Sequence, residues 1–386
     1  MHIRRTLATA AVAALTLTGV GLTTGTAAAA PGDAATYIVS LTPGSVPASV
    51  AALATSRLGG HVEHVYTAAL DGFAVTLRPE VAARLATLPG VAAVERDAPV
   101  QLEATQSNAT WGLDRTDQRD LPLSGSYSWG ATGAGVTAYV IDTGIRLAHR
   151  DLGGRAVSGY DAVDGGRADD CNGHGTHVAG TVGGSRYGVA KGVRLVAVRV
   201  LDCAGSGTTA GVIAGIDWVT AHHRAGAPAV ANMSLGGGAS SALDRAVERS
   251  IADGVGYAIA AGNGDAAGVP QDACAGSPSR VDAALTVGAT DRSDAPASFS
   301  NYGACVDLFA PGVGITSAWH TANTATNTIS GTSMATPHVA GVAALYLEGD
   351  PAASPAAVAE AITAAATKDR VATTRTEDND LLFSTW

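Results

Sequence analysis

Apolar residues along this chain fall into short alternating or clustered runs, broken by glycine and proline, and these runs predict a small early unit and a larger later one. In the early unit Thr36–Leu41 predicts a strand, and residues 45–58 an alanine-rich helix that stops at Gly59-Gly60. Strand-like runs follow at His61–Tyr66 and Gly72–Leu77. Pro79 opens a second helix over Glu80–Leu88, Pro89-Gly90 ends it, and Val91–Glu95 supplies a last strand. The order β-α-β-β-α-β is the ferredoxin-like arrangement.

Residues 104–135 are polar and turn-rich. From Val136 onward the pattern changes to alternating elements. Strands are predicted at Val136–Ile141, Val193–Leu201, Ala229–Ser234, Val255–Ala261, Ala284–Val287 and Val306–Phe309, and helices at Thr209–His222, Ser241–Asp253, Met334–Leu347 and Pro355–Ala366. Such alternation predicts an α/β domain around a mostly parallel sheet, whose reactive groups belong at the carboxyl ends of the strands. No fixed-period repeat is present.

The first residues follow a third pattern: a basic start, Met1-His2-Ile3-Arg4-Arg5, a small and apolar stretch to Val20, and Ala27–Ala30. That is the form of a secretory signal over residues 1–30. No later run offers an uninterrupted apolar stretch of spanning length, so the expectation is a secreted, extracellular product with no membrane partner. Hydrophobic residues at 46%, 48 glycines and only 15% charged residues suit a turn-rich globular protein. The net charge of −10, without long like-charge runs, argues against nucleic acid as a partner. Charge is nearly balanced before residue 104, so the acidity belongs to residues 104–386, where calcium would find carboxylates. Four cysteines in an exported chain invite two disulfides, with three pairings open.

Three segments carry chemistry. In Ala138–Gly144 a buried apolar strand ends in Asp142, a costly place for an acid unless something hydrogen-bonds it. In Asn172–Gly180 glycines flank His174, leaving its ring accessible at the start of a helix; a histidine that takes and returns a proton wants a near-neutral pKa and an orienting acid. His177, three residues on, offers the alternative of a metal pair, but no Glu stands between the two as in the zinc-protease motif, and a packed helix position accounts for it. In Ile329–Gly341 a strand, a glycine turn and a helix place Ser333 at a helix N-terminus, where free N–H groups favour negative charge.

These segments, in the order Asp, His, Ser, resemble the subtilase family, specifically its proteinase K-like, aqualysin-type branch; that chain order is the documented subtilisin one. Trp111–Arg115, Tyr187–Ala190, Ser234–Gly238 and Ser298–Gly303 carry the resemblance further. It implies a subtilisin-like three-layer α/β fold over residues 104–386, preceded by an inhibitory and folding-assisting propeptide over residues 31–103, with self-cleavage near Glu103–Ala104. It implies a serine endopeptidase in which Ser333 is the nucleophile, His174 the general base and later acid, Asp142 the imidazole's partner, and Asn263 with the Ser333 N–H the oxyanion donors.

The same resemblance implies substrate contacts from Gly205, Ser206 and Gly207 on one side and Ser234, Leu235 and Gly236 on the other, adding an extended peptide as an extra strand. Ala260, Ala261 and Gly262 would line a roomy uncharged pocket, hence broad cleavage with apolar or aromatic residues before the cut. It further implies bridges Cys171–Cys203 and Cys274–Cys305, a structural calcium held by the Asp307 carboxylate and the carbonyls of Asp282 and Ala284, and no cofactor for catalysis. The expected partners are protein and peptide substrates and the chain's own propeptide as intramolecular inhibitor; the expected state is a monomer. Two rivals, a catalytically silent binding module and an α/β-hydrolase-type esterase, lack support: every catalytic position is filled, and Ser333 sits in Gly-Thr-Ser-Met-Ala rather than Gly-x-Ser-x-Gly.

Overall fold

The computed structural model describes residues 34–97, 104–373 and 375–386. The expected signal over residues 1–30 and Glu103 of the expected cut lie outside these. The chain divides into two compact units, residues up to 100 and from 101 on.

In the first unit, strands Ala35–Leu41, His61–Tyr66, Gly72–Leu77 and Val91–Arg96 form one antiparallel sheet, with Ala35–Leu41 between Gly72–Leu77 and Val91–Arg96. Helix Pro47–Leu58 ends at Gly59 in the left-handed conformation, and its Val50, Ala51 and Ala54 pack with Val39, Phe73, Val75 and Leu85. The predicted second helix is shorter than expected. Pro79–Ala82 is α-helical, Leu85–Thr87 tightens to a 3-10 turn, and Leu88 is extended. Leu88 precedes Pro89, whose ring disfavours helical backbone at the residue before it.

The second unit is built on seven parallel strands in the order Leu308–Pro311, Leu285–Thr290, Val255–Ala260, Ala229–Met233, Thr137–Asp142, Arg194–Arg199 and Ala156–Asp161. Strand residues alternate between two cores. Ala138, Val140, Leu195 and Ala197 pack with helices His174–Gly183, Thr332–Gly349 and Pro355–Ala365, whereas Tyr139, Ile141, Val196 and Val198 pack with Thr209–His222 and Ser241–Ala252. Helices on both faces of a parallel sheet are the geometric solution for strands apolar on both sides.

Two features depart from the sequence pattern. The edge strand Ala156–Asp161 was not predicted; it contains Gly159, where a Cβ would stand 2.7 Å from Trp218, and its register shifts there. Within the stretch read as turns, Ala104–Ser107 pairs antiparallel with Ser126–Trp129, and Trp111–Thr116 is a short helix. Among the described residues no helix is long and apolar enough to cross a membrane.

Candidate active site

Asp142 is the last residue of its strand and has no exposed surface. Its burial is met by hydrogen bonds: the Thr143 N–H donates to Oδ1 at 2.7 Å, and His174 Nδ1 lies 2.8 Å from Oδ1 and 2.9 Å from Oδ2. Burial pulls the His174 pKa down. The charge and hydrogen bond of Asp142, and the charge of Asp170, push the other way and hold it above the ordinary histidine value. Nδ1 is thereby committed to the acid, and a quarter of the side chain remains exposed.

The turn that presents His174 is held by a residue the sequence reading did not single out. Asp170 Oδ1 accepts from Thr143 Oγ1, Asn172 N and Gly173 N, and Oδ2 from Thr176 N and Thr176 Oγ1. One carboxylate therefore joins the residue after Asp142 to the first turn of the His174 helix. Its signal, in hindsight, is an acid four residues ahead of a helix-opening histidine. Gly173 has φ +114°, and a Cβ there would stand 2.5 Å from both Trp319 and His320. Cys171, in the same loop, is bonded to Cys203, which adjoins Gly205; the second bridge is Cys274–Cys305.

Ser333 is the second residue of helix Thr332–Gly349. Pro337, four residues on, has no N–H to give the Ser333 carbonyl. Ser234 supplies the missing donor: its Oγ donates to Ser333 O at 2.9 Å and accepts from Asn232 Nδ2 at 2.8 Å. Ser333 Oγ in turn donates to Ser234 O at 3.1 Å. Asn263 follows the end of strand Val255–Ala260, with its Oδ1 accepting from Thr332 N and Thr332 Oγ1 at 2.8 and 2.9 Å. This leaves the Nδ2 donors to face the helix start, where Nδ2 lies 3.4 Å from the place of a Cβ on Gly331.

Two adjoining cavities flank these groups. One is lined by His174, Gly205, Ser206, Gly207, Ser234, Leu235 and Gly236, among others; the second by Leu235, Gly236, Ala260, Ala261, Gly262, Asn263, Asn301 and Ser333. The substrate-contact residues expected from the sequence thus all border one or other of two cavities that share Leu235, Gly236 and Gly237. A buried acid holding an imidazole, a serine at a helix N-terminus and an amide donor beside it can together transfer a proton, attack a carbonyl and hold a developing oxyanion.

The expected calcium ligands cluster elsewhere. Asp307 accepts from Thr286 N at 2.7 Å, and burial, with Asp378 and Asp282 nearby, pushes its pKa up to about 7. Among the described residues no group of three or more His, Cys, Asp or Glu could hold a metal. The expected site uses one carboxylate and two carbonyls, and a carboxylate whose ionisation is opposed by burial and like charge has the chemistry a hard cation satisfies.

Comparison with known proteins places the chain in context. Residues 133–382 match the profile described as "Subtilase family", and residues 36–103 match "Peptidase inhibitor I9". An "Extracellular serine proteinase" of Thermus sp. (strain Rt41A) is 62% identical over 305 residues, covering 79% of this chain and 73% of the relative. An "Alkaline serine exoprotease A" of Vibrio alginolyticus is 55% identical over 330 residues, covering 84% of this chain and 60% of the relative. The solved structure of a "cold adapted subtilisin-like serine proteinase" superposes with TM-score 0.69 at 56% identity, over 72% of this chain and 100% of that one.

Proposed function

Because this chain belongs to the subtilase family of serine proteases and carries an I9-type propeptide domain, we propose that it is a secreted endopeptidase of broad specificity that processes its own precursor. The observation that carries this reading is the Asp142–His174 pair together with a helix-start serine whose neighbour Thr332 is hydrogen-bonded to Asn263.

In the proposed cycle a peptide settles along the two cavities and its backbone N–H competes for the Ser234 carbonyl. The Ser333 hydroxyl, released from that carbonyl, turns toward His174. Ser333 Oγ attacks the scissile carbonyl carbon while His174 Nε2 takes its proton, and Asp142 stabilises the imidazolium through Nδ1. Asn263 Nδ2 and the Ser333 N–H hold the oxyanion. The C–N bond then breaks as His174 returns the proton to the amine, leaving an acyl-enzyme that water hydrolyses by the same steps. Ala260, Ala261, Gly262 and Gly264 offer small uncharged walls, which favours apolar or aromatic residues before the cut.

The proposed division is a signal over 1–30, a propeptide over 31–103 and a peptidase over 104–386, acting outside the cell as a monomer. That Ala104 opens a paired strand suits it as a new N-terminus. Asp307 with the carbonyls of Asp282 and Ala284 is the proposed calcium site, structural and not part of the chemistry. The test compares wild type with Ser333→Ala after secretion, by intact mass and casein hydrolysis. Wild type is expected to lose residues to about 103 and to digest casein, and the variant to stay uncut and inert. A variant processed and active like wild type would remove Ser333 as the nucleophile.

A further inference from the structure

The sequence contains two Asn-Gly pairs, Asn172-Gly173 and Asn263-Gly264, and both border the cavities described above. Asn-Gly is the dipeptide most open to spontaneous deamidation, because glycine puts no side chain in the way of ring closure, and asparagine is a thermolabile residue for this reason. We propose that Asn263-Gly264 is a latent deamidation site, and that Asn301 is the residue that protects it.

The glycine is dictated by the fold. Gly264 has φ +82°, and a Cβ there would stand 2.6 Å from the Val269 carbonyl oxygen, because the loop after it folds tightly back. Asp265 N donates to Val269 O at 2.9 Å, and Asp265 Oδ1 accepts from Ala267 N and Val269 N. No side chain fits at position 264, so the loop can be built only with glycine directly after Asn263.

The chemistry that this exposes is closed in atoms and electrons. The Gly264 nitrogen, having lost its proton, attacks Asn263 Cγ. A ring C–N bond forms, the bond from Cγ to the side-chain nitrogen breaks, and that nitrogen leaves as ammonia carrying the proton. Water then opens the succinimide to aspartate or isoaspartate. The net reaction consumes one water and releases one ammonia.

Asn301 opposes the first step. Its Oδ1 accepts from Gly264 N at 2.9 Å and from Gln271 N at 2.8 Å. A hydrogen-bonded amide keeps its proton, and its nitrogen is directed at Asn301 instead of Asn263 Cγ. Asn301 is itself fixed on the other side, its N–H to Gly262 O at 3.0 Å and its Nδ2 to Ala261 O at 2.9 Å. The target is held as well, since Asn263 Oδ1 takes two hydrogen bonds from Thr332. The deamidation does not depend on any catalytic role of Asn263; the loss of activity that follows it does, and so rests on the proposed oxyanion role.

The test uses the full chain carrying Ser333→Ala, so that digestion by neighbours is suppressed, alone and with Asn301→Ala or Asn301→Asp. Each protein is held in mildly alkaline buffer and peptide-mapped by mass spectrometry for deamidation at Asn263, with Asn172 as internal reference. The parent is expected to stay intact at Asn263. Asn301→Ala is expected to deamidate there faster by at least about fivefold, the factor one ordinary hydrogen bond carries, with Asn172 unchanged. Asn301→Asp, which keeps the acceptor, is expected to stay protected. Equal rates at Asn263 in parent and Asn301→Ala, joint acceleration at both asparagines, or loss of protection in Asn301→Asp would each overturn the proposal. In the active enzyme with Asn301→Ala, activity is expected to fall in step with the mass change. Deamidation without that fall would overturn the oxyanion role of Asn263 and leave the protection by Asn301 standing.

Discussion

Ser333 and Ser234 exchange two hydrogen bonds: the Ser333 hydroxyl donates to the Ser234 carbonyl, and the Ser234 hydroxyl donates to the Ser333 carbonyl. The second bond exists because Pro337 cannot satisfy Ser333 O from within the helix. Ser234→Ala would leave that carbonyl and the buried Asn232 Nδ2 without their partner. The expected result is a fall in kcat of about fivefold to tenfold with KM little changed, the scale of one lost hydrogen bond. Steady-state kinetics on a peptide amide measure it; a change confined to KM would argue against a role in holding Ser333.

Asp170 joins Thr143 to Gly173 and Thr176 and adds its charge to that of Asp142 near His174. Removing the charge by Asp170→Asn takes away one influence that favours the imidazolium, so the His174 pKa falls and the neutral base survives to lower pH. The acid limb of the kcat/KM profile should move toward lower pH while the plateau drops, because Thr176 loses an acceptor. A plateau drop with an unmoved limb would assign Asp170 to packing alone.

Asn263→Asp keeps the Oδ1 acceptor for Thr332 and removes the amide donor. The fold should be retained, by circular dichroism and thermal midpoint. The expected loss in kcat is about 10²–10³ or more, the size documented for the oxyanion asparagine of subtilisin, a family relative. Activity near that of the parent would remove Asn263 from the oxyanion site.

His177 and His338 are held neutral in the interior. Burial, above all, lowers both to about 4, against hydrogen bonds to Ile315 O and Met334 O that work in the other direction. The unfolded chain protonates them near the ordinary histidine value, so between about 6.5 and 4 the unfolded state binds more protons. The stability these two side chains contribute is therefore full above that window and is lost as pH drops through it, by about 3 kcal/mol for each histidine. Urea unfolding of the Ser333→Ala protein at pH 7 and pH 4, with and without His338→Phe, measures this; because Asp307 and Asp117, whose pKa values burial raises, act in the opposite sense in both proteins, a pH dependence left unchanged by the substitution would contradict it.

Chelation tests the proposed calcium site. A ligand that binds only the folded state at a hundredfold excess over its Kd stabilises by about 2.7 kcal/mol. Chelator should lower the thermal midpoint of the parent, and Asp307→Asn should lie low already and respond less. Equal responses would place the ion elsewhere.

Much of this architecture is legible in the sequence because every strand of the large sheet but one is a largely apolar run. Helix Thr332–Gly349 begins at Gly331, and Thr208, Ser240 and Ser354 cap three more helices with their side chains. Ala156–Asp161 escapes because an edge strand interrupted by Gly159 has no such run. At the site, Asp142 ends a strand, His174 and Ser333 stand at helix starts, and Asn263 follows a strand end. Asp170 and Asn301 are harder to read, since Asp170 works through a tight local turn and the Thr143 hydroxyl, and Asn301 through hydrogen bonds to backbone from another part of the chain. A polar residue that supports a distant loop leaves no periodic mark.

The all-parallel sheet has a consequence in time. Parallel neighbours cannot be joined by a hairpin, so each pair here forms only after a crossover has closed, and the order of strands across the sheet is not their order along the chain. Such topologies assemble slowly, because loop closure must precede the contacts that reward it. The same barrier, crossed in reverse, slows opening. For a protease surrounded by copies of itself, survival is set by how seldom a molecule opens, and so the half-life of the folded state, rather than its equilibrium free energy, is the quantity that governs its endurance.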